Sequence, residues 1–196
     1  MDIYLIRHGE ADRIGAPDPY ALPLTPLGRA QAARVAEQCR EWDVRFVCAS
    51  TMRRAQETAD AITGILPDVL RWDLEELEDM NLDDLLGSPG AGHLVSTWNE
   101  DQLRLGRERT WVRVTAAWAR IELYAAQYGL ERVAIVSHDT VLTFLLFSRL
   151  GLDWRDCTRL DVRLDPGASC KVTLQEGKPV RIQWVNRRPG EHDAGF

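Results

Sequence analysis

Two histidines and several arginines follow short apolar runs of the sequence, each at the point where a run ends. Arg7 and His8 follow the first run, and His138 follows the third. Arg53 and Arg54 lie shortly after the second. A neutral imidazole can act as a nucleophile, while guanidinium groups and a second, protonated imidazole can bind the non-bridging oxygens of a phosphoryl group. These residue types therefore predict phosphoryl transfer through a phosphohistidine that water later hydrolyses.

Three predicted strands must bring these residues together. Asp2–Glu10 indicates a buried strand that ends in a sharp turn at Gly9, where a residue without a side chain eases close backbone approach. Arg45–Ser50 and Arg132–Ser137 are further short apolar runs. The helical segments between them favour parallel strands. Because the carboxyl ends of parallel strands meet at one edge of a sheet, we expect the basic residues to share one rim.

The two adjacent arginines begin a predicted helix at Thr51. Cations in the first turn oppose the helix dipole, whose positive end lies there. Arg53 and Arg54 could both be solvated surface residues. The alternative is that one of them points at an anion held beside His8, since residues that break a local rule tend to mark sites. The residues alone do not choose between the two.

Phosphoryl transfer to His8 also requires a proton for the leaving alcohol, and hence a carboxylic acid with a raised pKa. The acidic stretch Asp73–Gly87 offers many carboxyl groups, although such a run can equally be a solvated face. Ser88–His93 follows and could form a substrate loop, with His93 itself interpreted as a surface residue.

The remaining patterns predict an α/β fold, a three-layer sandwich with a mixed, mainly parallel sheet flanked by helices. Thr25 and Pro26 are typical of a helix start, and an almost entirely apolar helix follows His138. We expect a single domain over residues 1–186 and a flexible tail over 187–196. Helical spacing predicts one buried face made by Leu27, Val35, Cys39 and Trp42.

Two helices, broken near Gly106, are predicted over Val95–Tyr128. Their core residues follow helical spacing and are Trp111, Val114, Trp118, Ile121, Ala125 and Tyr128. Further strands are predicted at Val69–Trp72, Leu160–Leu164, Cys170–Leu174 and Val180–Val185.

Composition limits the partners. The net charge is −6, which disfavours a nucleic-acid backbone as a ligand, and no stretch approaches the length of a membrane span. The N-terminus lacks a secretory pattern, so a cytoplasmic protein is expected. No cofactor motif occurs, and the dispersed histidines favour a mechanism without a metal; His192 is given no role. The oligomeric state stays open. Free thiols are expected at Cys39, Cys48, Cys157 and Cys170.

Four motifs in order resemble the signature of the histidine phosphatase superfamily, the phosphoglycerate mutase-like fold. They are Leu5–Glu10, Leu24–Ala32, Ser50–Ala59 and Val136–His138. Any one alone would be weak, whereas their order across the chain is specific. The expected fold is therefore that of this superfamily.

The resemblance implies a role for each basic residue. His8 corresponds to the phosphorylated nucleophile, and Arg7, Arg54 and His138 correspond to the phosphate pocket. In the third motif the relevant arginine directly precedes alanine, so the resemblance selects Arg54 and places Arg53 outward.

The resemblance also suggests the proton donor, with less agreement. Its usual pattern is Leu-x-Glu followed eight residues later by Gly. Leu77-Glu78-Asp79 with Gly87 fits this spacing, with Asp in place of Glu. Asp139, directly after His138, matches the donor position of the acid phosphatase and phytase branch. We rank Asp79 first and Asp139 second, with Glu76 and Glu78 behind them.

The implied function is a metal-independent phosphomonoesterase acting on a small phosphorylated metabolite. The alternative is a protein phosphohistidine phosphatase, although the short members with that activity lack a helical segment like Val95–Tyr128. Phosphoglycerate mutase is a lesser alternative, because Ala11–Leu24 lacks the tryptophan typical of mutases. A domain that binds phosphorylated ligands without turnover is another alternative. We expect residues 73–109 to form a cap, which Trp98 and Arg104 could line; the substrate stays open.

Overall fold

The computed structural model describes residues 1–12, 18–81 and 95–190. Within these ranges, helices span Pro26–Glu41 (α1), Arg53–Thr63 (α2), Glu100–Gln127 (α3) and Asp139–Arg149 (α4). Strands span Asp2–Arg7 (β1), Phe46–Ser50 (β2), Leu70–Leu74 (β3), Arg132–Ser137 (β4), Ser169–Thr173 (β5) and Arg181–Arg187 (β6). No helix in the described ranges is long and apolar enough to cross a membrane.

The described strands form one mixed sheet in the order β3-β2-β4-β1-β5-β6. The first four strands of this order are mutually parallel, while β5 and β6 are antiparallel to their neighbours. The sequence therefore predicted the mixed, mainly parallel sheet correctly. Arg7 pairs in register with Ser137, so the next residues, His8 and His138, leave the sheet side by side.

Helices cover both faces of the sheet, which gives the predicted three layers. Alternate residues of a strand point to opposite faces. Ile3 accordingly packs in a core with α3 and α4, whose largest buried side chains include Trp118 and Phe144. Tyr4 packs in a second core with α1 and α2. The central strands are thus apolar on both sides, which is why they read as continuous apolar runs.

The turn after β1 is pressed against the first turn of α1. The Thr25 hydroxyl accepts the Gly28 N–H at 3.0 Å and caps the helix. A Cβ at Gly28 would lie 2.0 Å from the Glu10 carbonyl oxygen, and one at Gly9 would lie 2.4 Å from the Gly28 carbonyl oxygen. Glycine at both positions therefore allows the backbone that carries His8 to sit on the helix.

Two predictions about helices were wrong. Helix α3 runs unbroken through Gly106, where a Cβ would meet the Trp98 ring at 2.7 Å and the Met80 sulfur at 2.9 Å. The glycine thus provides space for packing rather than a break. Leu27 and Tyr128, both predicted to be buried, are 54% and 58% exposed. Each lies at an end of its helix, where the neighbouring layer no longer covers it.

The prediction of a strand at Leu160–Leu164 was also wrong. The Asp139 carboxylate accepts the Leu164 N–H at 2.8 Å, and the Val162 carbonyl accepts the Thr143 hydroxyl at 2.7 Å. Side chains of α4 therefore take the backbone groups that a strand would have paired. At the C-terminal end, β6 extends through Arg187, and Arg188 pairs with Asp165.

Candidate active site

His8 lies at the centre of the candidate site and is 3% exposed. Its Nδ1 lies 2.6 Å from the Gly9 carbonyl oxygen, which can only accept, so Nδ1 carries the proton. Its Nε2 accepts a hydrogen bond from Arg54 Nε at 3.0 Å. The imidazole is therefore neutral, and the lone pair of Nε2 faces the Arg54 guanidinium.

Arg54 is held in the first turn of α2 by contacts that offset the unfavourable helix dipole. Its Nη1 donates to the Pro19 carbonyl at 2.7 Å, and its Nη2 lies 3.2 Å from the Met52 sulfur. The Arg54 side chain is 6% exposed, whereas that of Arg53 is 57% exposed and pairs with Glu57 on the surface. The structure thus brings Arg54, and not Arg53, to His8.

His138 faces His8 with 5.0 Å between the ring centroids. Its Nε2 lies 2.9 Å from the Ser50 hydroxyl, which also accepts the Met52 N–H. The Ser50 hydroxyl has a proton that it can donate to Nε2, an arrangement that leaves the proton of His138 on Nδ1. Nδ1 is buried and has no hydrogen-bond partner in the described part of the chain.

Burial lowers the pKa of His138 well below its ordinary value, and the positive charges of Arg54 and Arg7 lower it further. The second imidazole was expected to be protonated. In this site it is neutral, because desolvation and neighbouring cations both disfavour another positive charge.

This neutral histidine gives a pH dependence with a definite sign. Below its ordinary value of 6.5, the unfolded chain protonates His138 while the folded protein does not. The free energy of unfolding should therefore fall as the pH drops from 6.5 toward the lower folded-state pKa, with a slope of up to about 1.4 kcal/mol per pH unit. Urea unfolding of the parent and of His138→Gln between pH 5 and 8 measures this. Parallel curves for the two proteins would contradict it.

Arg7 lies at the end of β1, beside Asp139. Arg7 Nη1 donates to the Leu164 carbonyl at 2.5 Å and lies 3.9 Å from Asp139 Oδ2. Its Nε is buried without a hydrogen-bond partner among the residues described. Because Asp139 Oδ1 accepts the Leu164 N–H, this carboxylate joins α4 to the segment that holds Arg7.

The other candidate carboxylates follow β3. Asp79 Oδ2 lies 3.6 Å from Arg54 Nη2, while its Oδ1 accepts the Met80 N–H at 3.1 Å. Of the four candidates, Asp79 shares with His8 a direct contact to the Arg54 guanidinium. The carboxylate and the imidazole are therefore both neighbours of one guanidinium.

Glu78 and Glu76 have different neighbours. Glu78 accepts the Thr51 hydroxyl and, at 3.3 Å, the Asn81 amide. Glu76 pairs with Arg120 at 2.8 Å. Each of these carboxylates therefore accepts hydrogen bonds from neighbouring side chains.

The sequence did not single out Arg113 of α3. Its Nη1 donates to the carbonyls of Glu75, Glu76 and Glu78 at 3.3, 3.0 and 2.8 Å, and its Nη2 lies 3.4 Å from the Asp79 carbonyl. Arg113 comes directly before Val114 of the core stripe, and these four contacts are with backbone carbonyls. Neither a motif nor a charge pattern marks such a contact.

Comparison with known protein families decides the membership. The model of the histidine phosphatase superfamily, branch 1, matches residues 3–187. The chain belongs to this superfamily. It is a phosphatase, and three of the four motifs that suggested the resemblance carry His8, Arg54 and His138.

Individual members of the histidine phosphatase superfamily resemble the whole chain. A probable phosphoglycerate mutase, GpmB, from Yersinia pestis (strain Pestoides F) is 30% identical over 217 residues, covering 97% of this chain and 93% of the relative. The α-ribazole phosphatase of Shigella flexneri has the same fold, with a TM-score of 0.77 at 23% identity over 96% of this chain and 97% of that one. The protein histidine phosphatase SixA in complex with tungstate gives a TM-score of 0.65 at 19% identity, with 96% and 97% covered.

For this histidine phosphatase, some predicted features of the cap can be placed and others cannot. Trp98 is buried and packs against Gly106. Arg104 lies in the first half of α3. His93, most of the loop before it and His192 lie outside the described residues. Within residues 1–12, 18–81 and 95–190, no three His, Cys, Asp or Glu side chains are grouped as metal ligands.

Proposed function

We propose that this protein is a metal-independent phosphomonoesterase that hydrolyses a small phosphorylated metabolite through a phosphohistidine on His8. The observation that carries the proposal is the tautomer of His8. Its proton is committed to the Gly9 carbonyl, and its Nε2 lone pair faces Arg54. A nucleophilic nitrogen thus lies beside a group that binds phosphoryl oxygens.

The groups around His8 support an anion at this position. Arg7 Nε and His138 Nδ1 are buried polar atoms without partners in the described structure. A buried donor that lacks an acceptor is costly, so such atoms favour a ligand that supplies one. The oxygens of a phosphoryl group would accept from Arg7, Arg54 and His138 together, and their negative charge would raise the pKa of His138.

In the first step, the lone pair of His8 Nε2 forms a bond to phosphorus, and the ester P–O bond breaks. The electron pair of that bond goes to the leaving oxygen, which takes a proton from the Asp79 carboxylic acid. The Nδ1–H···O bond to Gly9 stabilises the positive charge of the phosphorylated ring. In the second step, water gives its proton to Asp79 and its oxygen to phosphorus, and the P–N electron pair returns to Nε2.

We assign the acid role to Asp79 because of its position. Asp79 Oδ2 lies 3.6 Å from Nη2 of the same Arg54 guanidinium whose Nε donates to His8, so the carboxyl lies close to a phosphoryl group bound by Arg54. Asp139 instead lies next to Arg7 and holds the Leu164 backbone. A bound phosphoryl dianion would compete for Arg54 and favour the protonated form of the neighbouring carboxyl.

We infer a small substrate from the size of a cavity that borders the segment carrying Asp79. A cavity of about 650 Å³, whose lining includes Thr51, Glu78, Asn81 and Arg113, adjoins the segment that carries the acid. This volume is in the range of small-molecule pockets. In our proposal residues 1–186 form one catalytic domain, and residues 73–109 cover the leaving-group side.

Phosphate release from para-nitrophenyl phosphate and a panel of metabolite phosphomonoesters, with EDTA present, tests the proposal. We expect turnover that EDTA does not change, with selectivity among small esters. A phosphohistidine-bearing protein belongs in the same panel. Turnover of that protein alone would transfer the proposal to the protein phosphatase alternative, and no turnover of any ester by the folded protein would contradict both.

A further inference from the structure

Residues 75–79 have little regular structure of their own to fix them. A single 3₁₀ turn, Glu75–Leu77, follows β3, and the chain then reaches Glu78 and Asp79 in extended or irregular conformation. A short turn of this kind is a weak support for a group that must be placed within a fraction of an ångström. Its position therefore depends on contacts from elsewhere.

Arg113 provides these contacts from α3. Its guanidinium donates to the carbonyls of Glu75, Glu76 and Glu78, and lies within 3.4 Å of a fourth, that of Asp79. Helix α3 is itself fixed, because Val114 and Trp118 on its inner face are completely buried. Arg113 thus connects the segment to one of the most firmly packed helices of the molecule.

The chemistry of the contact suits a guanidinium. Its planar fork presents several N–H donors at fixed angles, whereas an ammonium is a single charged point. Charged donors to backbone carbonyls also form strong hydrogen bonds. The Arg113 guanidinium contacts all four carbonyls through its two terminal nitrogens.

We propose that Arg113 is a positioning residue for the proton donor: by holding the carbonyls of residues 75–79, it sets where the Asp79 carboxyl lies relative to the leaving oxygen. The proposal rests on the proposed function, because it takes Asp79 as the acid. Arg113 acts on Asp79 through the backbone, and it also lines the cavity proposed for the substrate.

The test uses the dependence of turnover on the leaving group. A nitrophenolate leaves without a proton, whereas an aliphatic alkoxide requires one, so loss of the acid affects alkyl phosphates far more. For Asp79→Asn we expect kcat on an alkyl phosphate to fall about a hundredfold or more, and kcat on para-nitrophenyl phosphate to change by less than about fivefold. Arg113→Met should show the same selectivity with a loss of about tenfold or more on the alkyl ester.

Two further variants isolate the cause. Glu122→Gln lies on the same helix and removes an ion pair with Arg149, so both substrates should be turned over within about twofold of the parent. Arg113→Lys keeps the positive charge near His138 but not the fork. It should retain a smaller selective defect, and it provides a second measurement if Arg113→Met does not fold.

The outcomes separate the two proposals. Equal losses on both substrates in Arg113→Met, or full activity in Arg113→Lys, would overturn the positioning role. Selective loss in Asp79→Asn without selective loss in Arg113→Met would also overturn it and leave Asp79 as the acid. Selective loss in Arg113→Met alone would support positioning by Arg113 but contradict Asp79 as the donor.

Discussion

Replacement of His8 by asparagine should reduce kcat on every phosphomonoester by about a thousandfold or more, because no other group replaces the nucleophile. The asparagine amide can still donate to the Gly9 carbonyl, which in the parent accepts from Nδ1 at 2.6 Å. The substitution thus removes Nε2 while keeping the hydrogen bond that orients the side chain. Steady-state phosphate release measures the loss.

The covalent intermediate is the second readout for His8. Labelled substrate, quenched in alkali, should leave label on the parent protein, since a P–N bond survives base and is lost in acid. His8→Asn should carry none. Label that stays on the variant, or turnover within about tenfold of the parent, would contradict nucleophilic attack by His8.

Arg54 and Arg53 provide a matched pair for the second large effect. Arg54→Ala removes a buried guanidinium that contacts His8 and Asp79, and we expect kcat/KM to fall by about a thousandfold. Arg53→Ala removes an exposed guanidinium from the same helical turn and should stay within about twofold of the parent. Kinetics of both variants on one ester measure the contrast.

Arg54→Lys tests whether the loss of activity in Arg54→Ala reflects only a loss of folding. A lysine keeps the charge but not the two-point geometry, so only part of the activity should return. Thermal unfolding of all three variants shows whether each is folded. Equal activity of the Arg53 and Arg54 variants would contradict the assignment of Arg54 to the phosphate pocket.

The sequence could predict the basic cluster because local signals place each of its members. Apolar runs marked the strands, and His8 and His138 directly follow two of them. The parallel arrangement then brought them together. Local patterns left Arg53 and Arg54 unresolved, since both sit in one helical turn and their difference in burial depends on the turn before α1.

What the sequence could not predict depends on contacts between distant segments. The segment Leu160–Leu164 has the alternation of a strand, but side chains of α4 bind its backbone. Gly106 has the type of a helix breaker, yet Trp98 and Met80 fill the space beside it. Arg113 donates to backbone carbonyls, and every residue has one. The residue types of the partners therefore do not indicate this contact in the sequence.

The order of the strands also places the proposed phosphate-binding groups and the proposed acid in parts of the fold that tolerate substitution differently. The groups proposed to hold phosphate emerge from β1, β4 and the start of α2, where a changed residue disturbs the two cores on which the whole fold depends. The proposed acid lies on a short segment with little regular structure, to which Arg113 donates hydrogen bonds. Substitutions of exposed side chains in that segment, such as Glu75, carry little cost in stability. New leaving-group preferences can therefore arise by drift in this region while the chemistry at phosphorus stays unchanged.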